Sequence, residues 1–179
     1  MQFKVGERAV YPAHGVGIIK EIETQTFDGV EYQFYVLKIL DNGMTIRVPI
    51  QNADAIGMRN VISMEHVEKV YEVLRDRKTP TDNQTWNRRY REYMQRIKTG
   101  DPLEIGKVLR DLALMKQEKS LSFGERKMFD QAMTLLKQEL SCARGVEEAV
   151  IEGEIDAIFA RPDGEEEEVP AKKKKKKKK

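Results

Sequence analysis

This chain of 179 residues is poor in the side chains that most catalytic and metal centres need. It has a single cysteine, Cys142, and two histidines, His14 and His66. One thiol closes no disulfide, which fits a reducing cytoplasm, and in a helical pattern it reads as a small buried hydrophobe. Nor can one cysteine and two histidines assemble a zinc or iron constellation, so no metal or cofactor is expected. A membrane helix needs about eighteen consecutive apolar residues, and no such run exists. The start, Met1-Gln2-Phe3-Lys4-Val5-Gly6, has no apolar core of a secretion signal. Walker lysine, nucleophile-elbow and His-Glu-x-x-His patterns are all missing. Gly15-Val16-Gly17 lacks the third glycine and the following helix of a nucleotide loop. Paired carboxylates toward the C-terminus read as solvated helix faces. Binding is therefore expected rather than catalysis.

The charge is unevenly spread. The net +2 divides into a slightly acidic first 77 residues, a segment 78–127 with 12 basic and 7 acidic side chains, an acidic segment 128–168, and eight terminal lysines. The basic segment contains the only tryptophan, in Thr85-Trp86-Asn87-Arg88-Arg89-Tyr90-Arg91. Read as a helix, this stretch places Trp86 in the first turn, Arg89 three residues on, and Arg88 and Arg91 flanking that face. A flat apolar ring beside guanidinium groups suits wedging a base step while holding adjoining phosphates. The same pattern also describes a core tryptophan beneath a solvated basic face.

Residues 1 to about 60 read as β. Val16 to Thr26, Tyr32 to Leu40 and Met44 to Pro49 are apolar or alternating runs, separated by Asp28-Gly29 and Asn42-Gly43. Both dipeptides are hairpin signals, because type I′ turns need positive φ at two successive positions. The fold class is α+β in two domains, beginning with a small SH3- or Tudor-like barrel in which Gly15 and Gly17 let the chain bend. From Ser63 the period becomes helical: Val67, Val70, Tyr71 and Leu74 form a stripe behind a Ser63 N-cap. Arg75 to Thr85 is polar, contains Pro80 and reads as a linker between folded units. Helices follow at about Trp86–Thr99, after Asp101-Pro102-Leu103-Glu104, after the capping box Ser122-Phe123-Gly124-Glu125, and at about Glu147–Phe159. The expected domains are thus 1–62 and a helical bundle 63–160. The acidic and polylysine stretch 161–179 has almost nothing to bury and is expected to be a disordered tail.

Three further features invite binding. Tyr11, Tyr32, Phe34 and Tyr35 could line a cage for a cation or pack as core. Arg47, beside Ile46 and Val48 on a strand ending at Pro49, would suit an edge strand that accepts a partner's strand and pairs with its acid. Arg126 and Lys127 stand in a helix's first turn, where cations oppose the dipole unless they meet an anion.

Taken together, Phe3-Lys4-Val5-Gly6, Val10-Tyr11-Pro12-Ala13-His14-Gly15-Val16-Gly17, Arg47-Val48-Pro49, Thr85-Trp86-Asn87-Arg88-Arg89-Tyr90 and Leu121-Ser122-Phe123-Gly124-Glu125-Arg126-Lys127-Met128 resemble the CarD/CdnL family of bacterial transcription regulators. The resemblance covers residues 1 to about 160. It implies a Tudor-like module that docks on the RNA polymerase β subunit, related to that of the transcription-repair coupling factor. It also implies a helical domain on promoter DNA at the upstream edge of the bubble, where Trp86 wedges into the minor groove and slows bubble collapse. Arg88, Arg89, Arg91 and Arg126 fall on or beside basic positions facing DNA, with little sequence preference. Arg47 and Pro49 fall on the polymerase-contacting strand, and Gln25 stands where some members have a contacting arginine. A cytoplasmic, nucleoid-associated monomer is expected. The rival readings are a protein–protein adaptor with Trp86 buried and no direct DNA contact, and a free-standing Tudor-like reader of modified lysine or RNA.

Overall fold

The computed structural model describes residues 2–78 and 85–160. Pro80 and the stretch 161–179 lie outside the described residues. The first part is a curled four-stranded antiparallel sheet, a half-barrel with strands β1 (Arg8–Tyr11), β2 (Gly15–Phe27), β3 (Val30–Ile39) and β4 (Thr45–Pro49) in sequential order. Asp28 and Gly29, at φ 50° and 78°, join β2 to β3 as the type I′ turn the dipeptide predicts. Asn42-Gly43 behaves differently. Only Gly43 has positive φ, and its N–H bonds back to the Ile39 carbonyl within a wider loop. Asn42 instead spends its side chain on the Met44 N–H, an Asx-type turn. Gly15 has φ 88°, whereas Gly17 lies in a regular strand where a Cβ would fall 2.7 Å from Leu37. Close packing, not bending, requires glycine there.

The sheet closes over a core of Phe3, Ala9, Ile19, Tyr35, Leu37, Ile39, Val48, Ala53 and Met58. The aromatic cage does not form. Tyr35 is buried and accepts the Phe3 N–H, Tyr32 meets Phe27 at a tilt, and Tyr11 meets His14 likewise. A 3-10 turn (Ile50–Asn52) and α1 (Ala53–Ile56) carry the chain back to β1, where Arg59 bridges Val10. Among the described residues β4 pairs only with β3, so β4 is the open edge.

The second part consists of α2 (Met64–Arg75), α3 (Trp86–Lys98), α4 (Pro102–Glu118), α5 (Phe123–Arg144) and α6 (Glu148–Ala160). Ser63, Asp101 and Ser122 cap their helices through side-chain acceptors, as predicted. At α4 the reciprocal half is absent: Glu104 turns to Lys107, and the Asp101 N–H donates to the Thr99 hydroxyl. Val67, Val70, Tyr71 and Leu74 pack into one core with Ile97, Leu109, Leu112, Leu136 and Ile155. Because α2 shares that core, the polar stretch after Arg75 separates two helices of one unit rather than two domains. Cys142 is half-buried, and burial pushes its thiol pKa up. Among the described residues, no helix is long and apolar enough to cross a membrane.

Candidate functional site

On the half-barrel the pairing register decides which residues share a face. Glu23 lies opposite Phe34 and Phe34 opposite Pro49; Val36 lies opposite Arg47, and Gln25 opposite Tyr32. Cross-strand partners point to the same side of a sheet, so Gln25, Arg47 and Pro49 occupy one outer face, away from Tyr35, Leu37 and Val48. Glu23 ties two of them together. Arg47 Nε donates to Glu23 Oε2 at 2.8 Å, and Gln25 Nε2 donates to Glu23 Oε1 at 2.8 Å. The Gln25 amide and then Arg47 hold the Glu23 carboxyl below its usual range, and Glu23 in turn raises Arg47. Sequence reasoning missed Glu23, although its two-residue offset from Gln25 placed both on one face. Its link to Arg47 depends on strand register.

The helical unit presents an aromatic and cationic corner where the first turns of α3 and α5 meet. Trp86 opens α3, and Thr85 gives it no side-chain cap. By helical spacing Trp86 shares the stripe of Tyr93 and Ile97, both buried. It lies beyond the end of the core they enter, and its ring is only partly covered. Gly124 makes the seat: a Cβ there would come within 2.9 Å of the indole Cζ2. Tyr90 meets the ring edge-on, 5.5 Å between centroids. Beside this seat Phe123, the first residue of α5, is 81% exposed.

The arginines divide into two sets. Arg88, Arg91, Arg126 and Lys127 are exposed, with Arg88 3.6 Å from Glu92 and Arg126 donating to the Leu121 carbonyl at 3.4 Å. Arg89 is drawn inward, its side chain 14% exposed and 3.7 Å from Glu125, with Nε buried and unpartnered. A phosphate would have to compete with that carboxylate for Arg89. Glu125 already closes the capping box with Ser122 and lies 3.7 Å from Lys119. Burial pushes its carboxyl up, but the Ser122 N–H and hydroxyl, with Lys119 and Arg89, leave it below the usual value. Phe123 and Gly124 belonged to a motif carrying the family resemblance but had no role of their own assigned, because the capping box accounted for that tetrapeptide locally.

An open-edged half-barrel joined to a helical unit with an aromatic, cationic corner defines a two-module binding protein. Comparison with known proteins gives the class its family. Residues 3–62 match the description "CarD-like/TRCF RID domain", and residues 69–156 match "CarD, C-terminal domain". The chain is 34% identical over 153 residues to "Putative transcription factor YdeB" of Bacillus subtilis (strain 168), covering 83% of this chain and 97% of that protein. A solved structure, "CdnLNt from Myxoccoccus xanthus", is 46% identical, covering 35% of this chain and 89% of its own, with a TM-score of 0.30. The chain belongs to the CarD family and is a transcription regulator, with an N-terminal domain of the RNA polymerase-interacting type.

Proposed function

We propose that this regulator docks on the RNA polymerase β subunit through the outer face carrying Gln25, Arg47 and Pro49. Its α3–α5 corner then lies on promoter DNA at the upstream edge of the bubble. There Trp86 enters the minor groove and stabilises the open complex, while Arg88, Arg91 and Arg126 hold phosphates, joined by Arg89 when it leaves Glu125. One observation carries this reading: the single indole sits outside the helical core, on Gly124, among exposed aromatic and basic side chains. An adaptor with a buried Trp86 would need that ring inside the core.

The energetics are adequate. A separating base step costs little to unstack, so an inserted indole contributes about 1–3 kcal/mol, the scale of base–aromatic stacking. That shifts a closed–open equilibrium roughly ten- to a hundredfold. Phosphate contacts carry no sequence information, so DNA alone is bound with little sequence preference, and polymerase docking supplies the location through effective concentration. Trp86→Ala should shorten open-complex lifetime on a single promoter while leaving polymerase affinity unchanged. Equal lifetimes for the two proteins would end the wedge mechanism.

A further inference from the structure

A regulator that grips polymerase with one module and DNA with the other must hold the two at a set separation. The structure contains a joint suited to that task. The β1–β2 turn enters the helical unit, and Ala13, at φ 64°, packs against the helical core. Two absent side chains make room. A Cβ on Gly15 would lie 2.8 Å from Gln138 Oε1 and 3.3 Å from Leu135, and one on Gly100 would lie 3.2 Å from Pro12.

Arg59 spans this joint. Its backbone bridges Val10 of β1, while its guanidinium grips both oxygens of Glu139 on α5, Nη2 to Oε2 at 2.9 Å. Nη2 also donates to the Gly100 carbonyl just past the end of α3, and the Ile62 N–H donates to Glu139 Oε1 at 3.2 Å. The Glu139 side chain is 4% exposed. A buried carboxylate needs such partners, and a planar fork satisfies two oxygens in one orientation only. The two helices held here, α3 and α5, are the ones whose first turns build the Trp86 seat. An α-helix is a stiff rod, so holding the α5 shaft at Glu139 holds Gly124 about 22 Å away.

We propose that Arg59 is a positioning residue that locks the half-barrel to α3 and α5 through Glu139 and the Gly100 carbonyl, setting the reach from the Arg47 face to Trp86. The functional half of this inference rests on the reading above; the mechanical half does not. The test measures the distance distribution between spin labels at Thr45→Cys and Lys98→Cys in the full chain carrying Cys142→Ser, without polymerase or DNA. The parent should give one narrow distribution. Arg59→Ala should broaden it by about twofold with an unchanged circular dichroism spectrum, since the planar fork that fixes one orientation is gone. In unlabelled protein, the same substitution should shorten open-complex lifetime roughly tenfold at unaltered polymerase affinity, through lost effective concentration. A folded Arg59→Ala protein with the parental width overturns the lock. Should the alanine variant not fold, Arg59→Lys keeps the charge but loses the fork, and a parental width there overturns it equally. Failure of the wedge alone would leave the broadening intact while Trp86→Ala left the lifetime unchanged.

Discussion

Arg47 and Glu23 stand on β4 and β2, with β3 between them, and their side chains meet at 2.8 Å across the outer face of the sheet. The arginine expected to reach an acid on polymerase is already engaged within its own sheet. An incoming carboxylate must share Arg47 with Glu23 or displace it.

Arg47→Ala should therefore weaken polymerase binding about tenfold, the order seen when one member of an interfacial charge pair is lost. Glu23→Gln should strengthen it by roughly threefold, because the partner's acid no longer competes. Thermal stability should stay unchanged in both, since exposed pairs contribute little. Titration of the β subunit by calorimetry checks the affinities, and opposite signs for the two variants are the decisive result.

Gly124 is the seat of the indole, and Gly124→Ala should displace it. The added methyl would sit 2.9 Å from Trp86 Cζ2, closer than carbon atoms approach, so the ring must swing outward. Tryptophan emission should shift to longer wavelength and quencher access should rise. Alanine is a better helix former than glycine, so α5 itself should not suffer. An unchanged emission spectrum would place the indole elsewhere.

Glu125 gives a pH dependence. Its folded carboxyl titrates below its ordinary value of 4.5, so it contributes stability above pH 4.5 that is lost as pH falls through the lowered folded value. Glu125→Gln retains a reciprocal cap but not the charge that Arg89 and Lys119 face. At neutral pH this variant should be less stable than the wild type by about 1 kcal/mol, the difference between a hydrogen bond to a charged group and one to a neutral group. The gap should close in acid. Melting curves from neutral to acidic pH check both the sign and the closure.

Tyr71 gives the alkaline counterpart. Burial first, and then its bond to Glu154, push the Tyr71 phenol up to about 12 from 10.0, against the opposing pull of Arg144. The folded state keeps this proton where the unfolded chain releases it. The contribution is present below pH 10 and is lost as pH rises toward 12. A phenolate absorbance titration should show a late step, and Tyr71→Phe should remove it. The network joins α2, α5 and α6, because Arg144 also donates to the Tyr71 oxygen at 3.1 Å and pairs with Glu154.

What the chain determines by itself is whatever is local. Period-two and period-3.6 patterns, the Asp28-Gly29 turn, and the Ser63, Asp101 and Ser122 caps act within a few residues, so strands and helices were legible from them. The placement of Trp86 in a first turn and of Arg47 on a strand followed from the same reasoning, whereas that strand's edge position needed the sheet order. Tertiary structure alone decided the rest. Glu23 meets Arg47 only through strand register, Gly124 receives Trp86 only because two helices start together, and Arg59 reaches Glu139 across 80 positions of sequence. Arg89 shows the difference most plainly. Its neighbours in the chain read as a solvated basic run, and only a carboxylate brought in from α5 draws it under the surface. Local propensity depends on neighbours in the chain, whereas charge pairing and ring packing depend on neighbours in space, and only the folded chain supplies those.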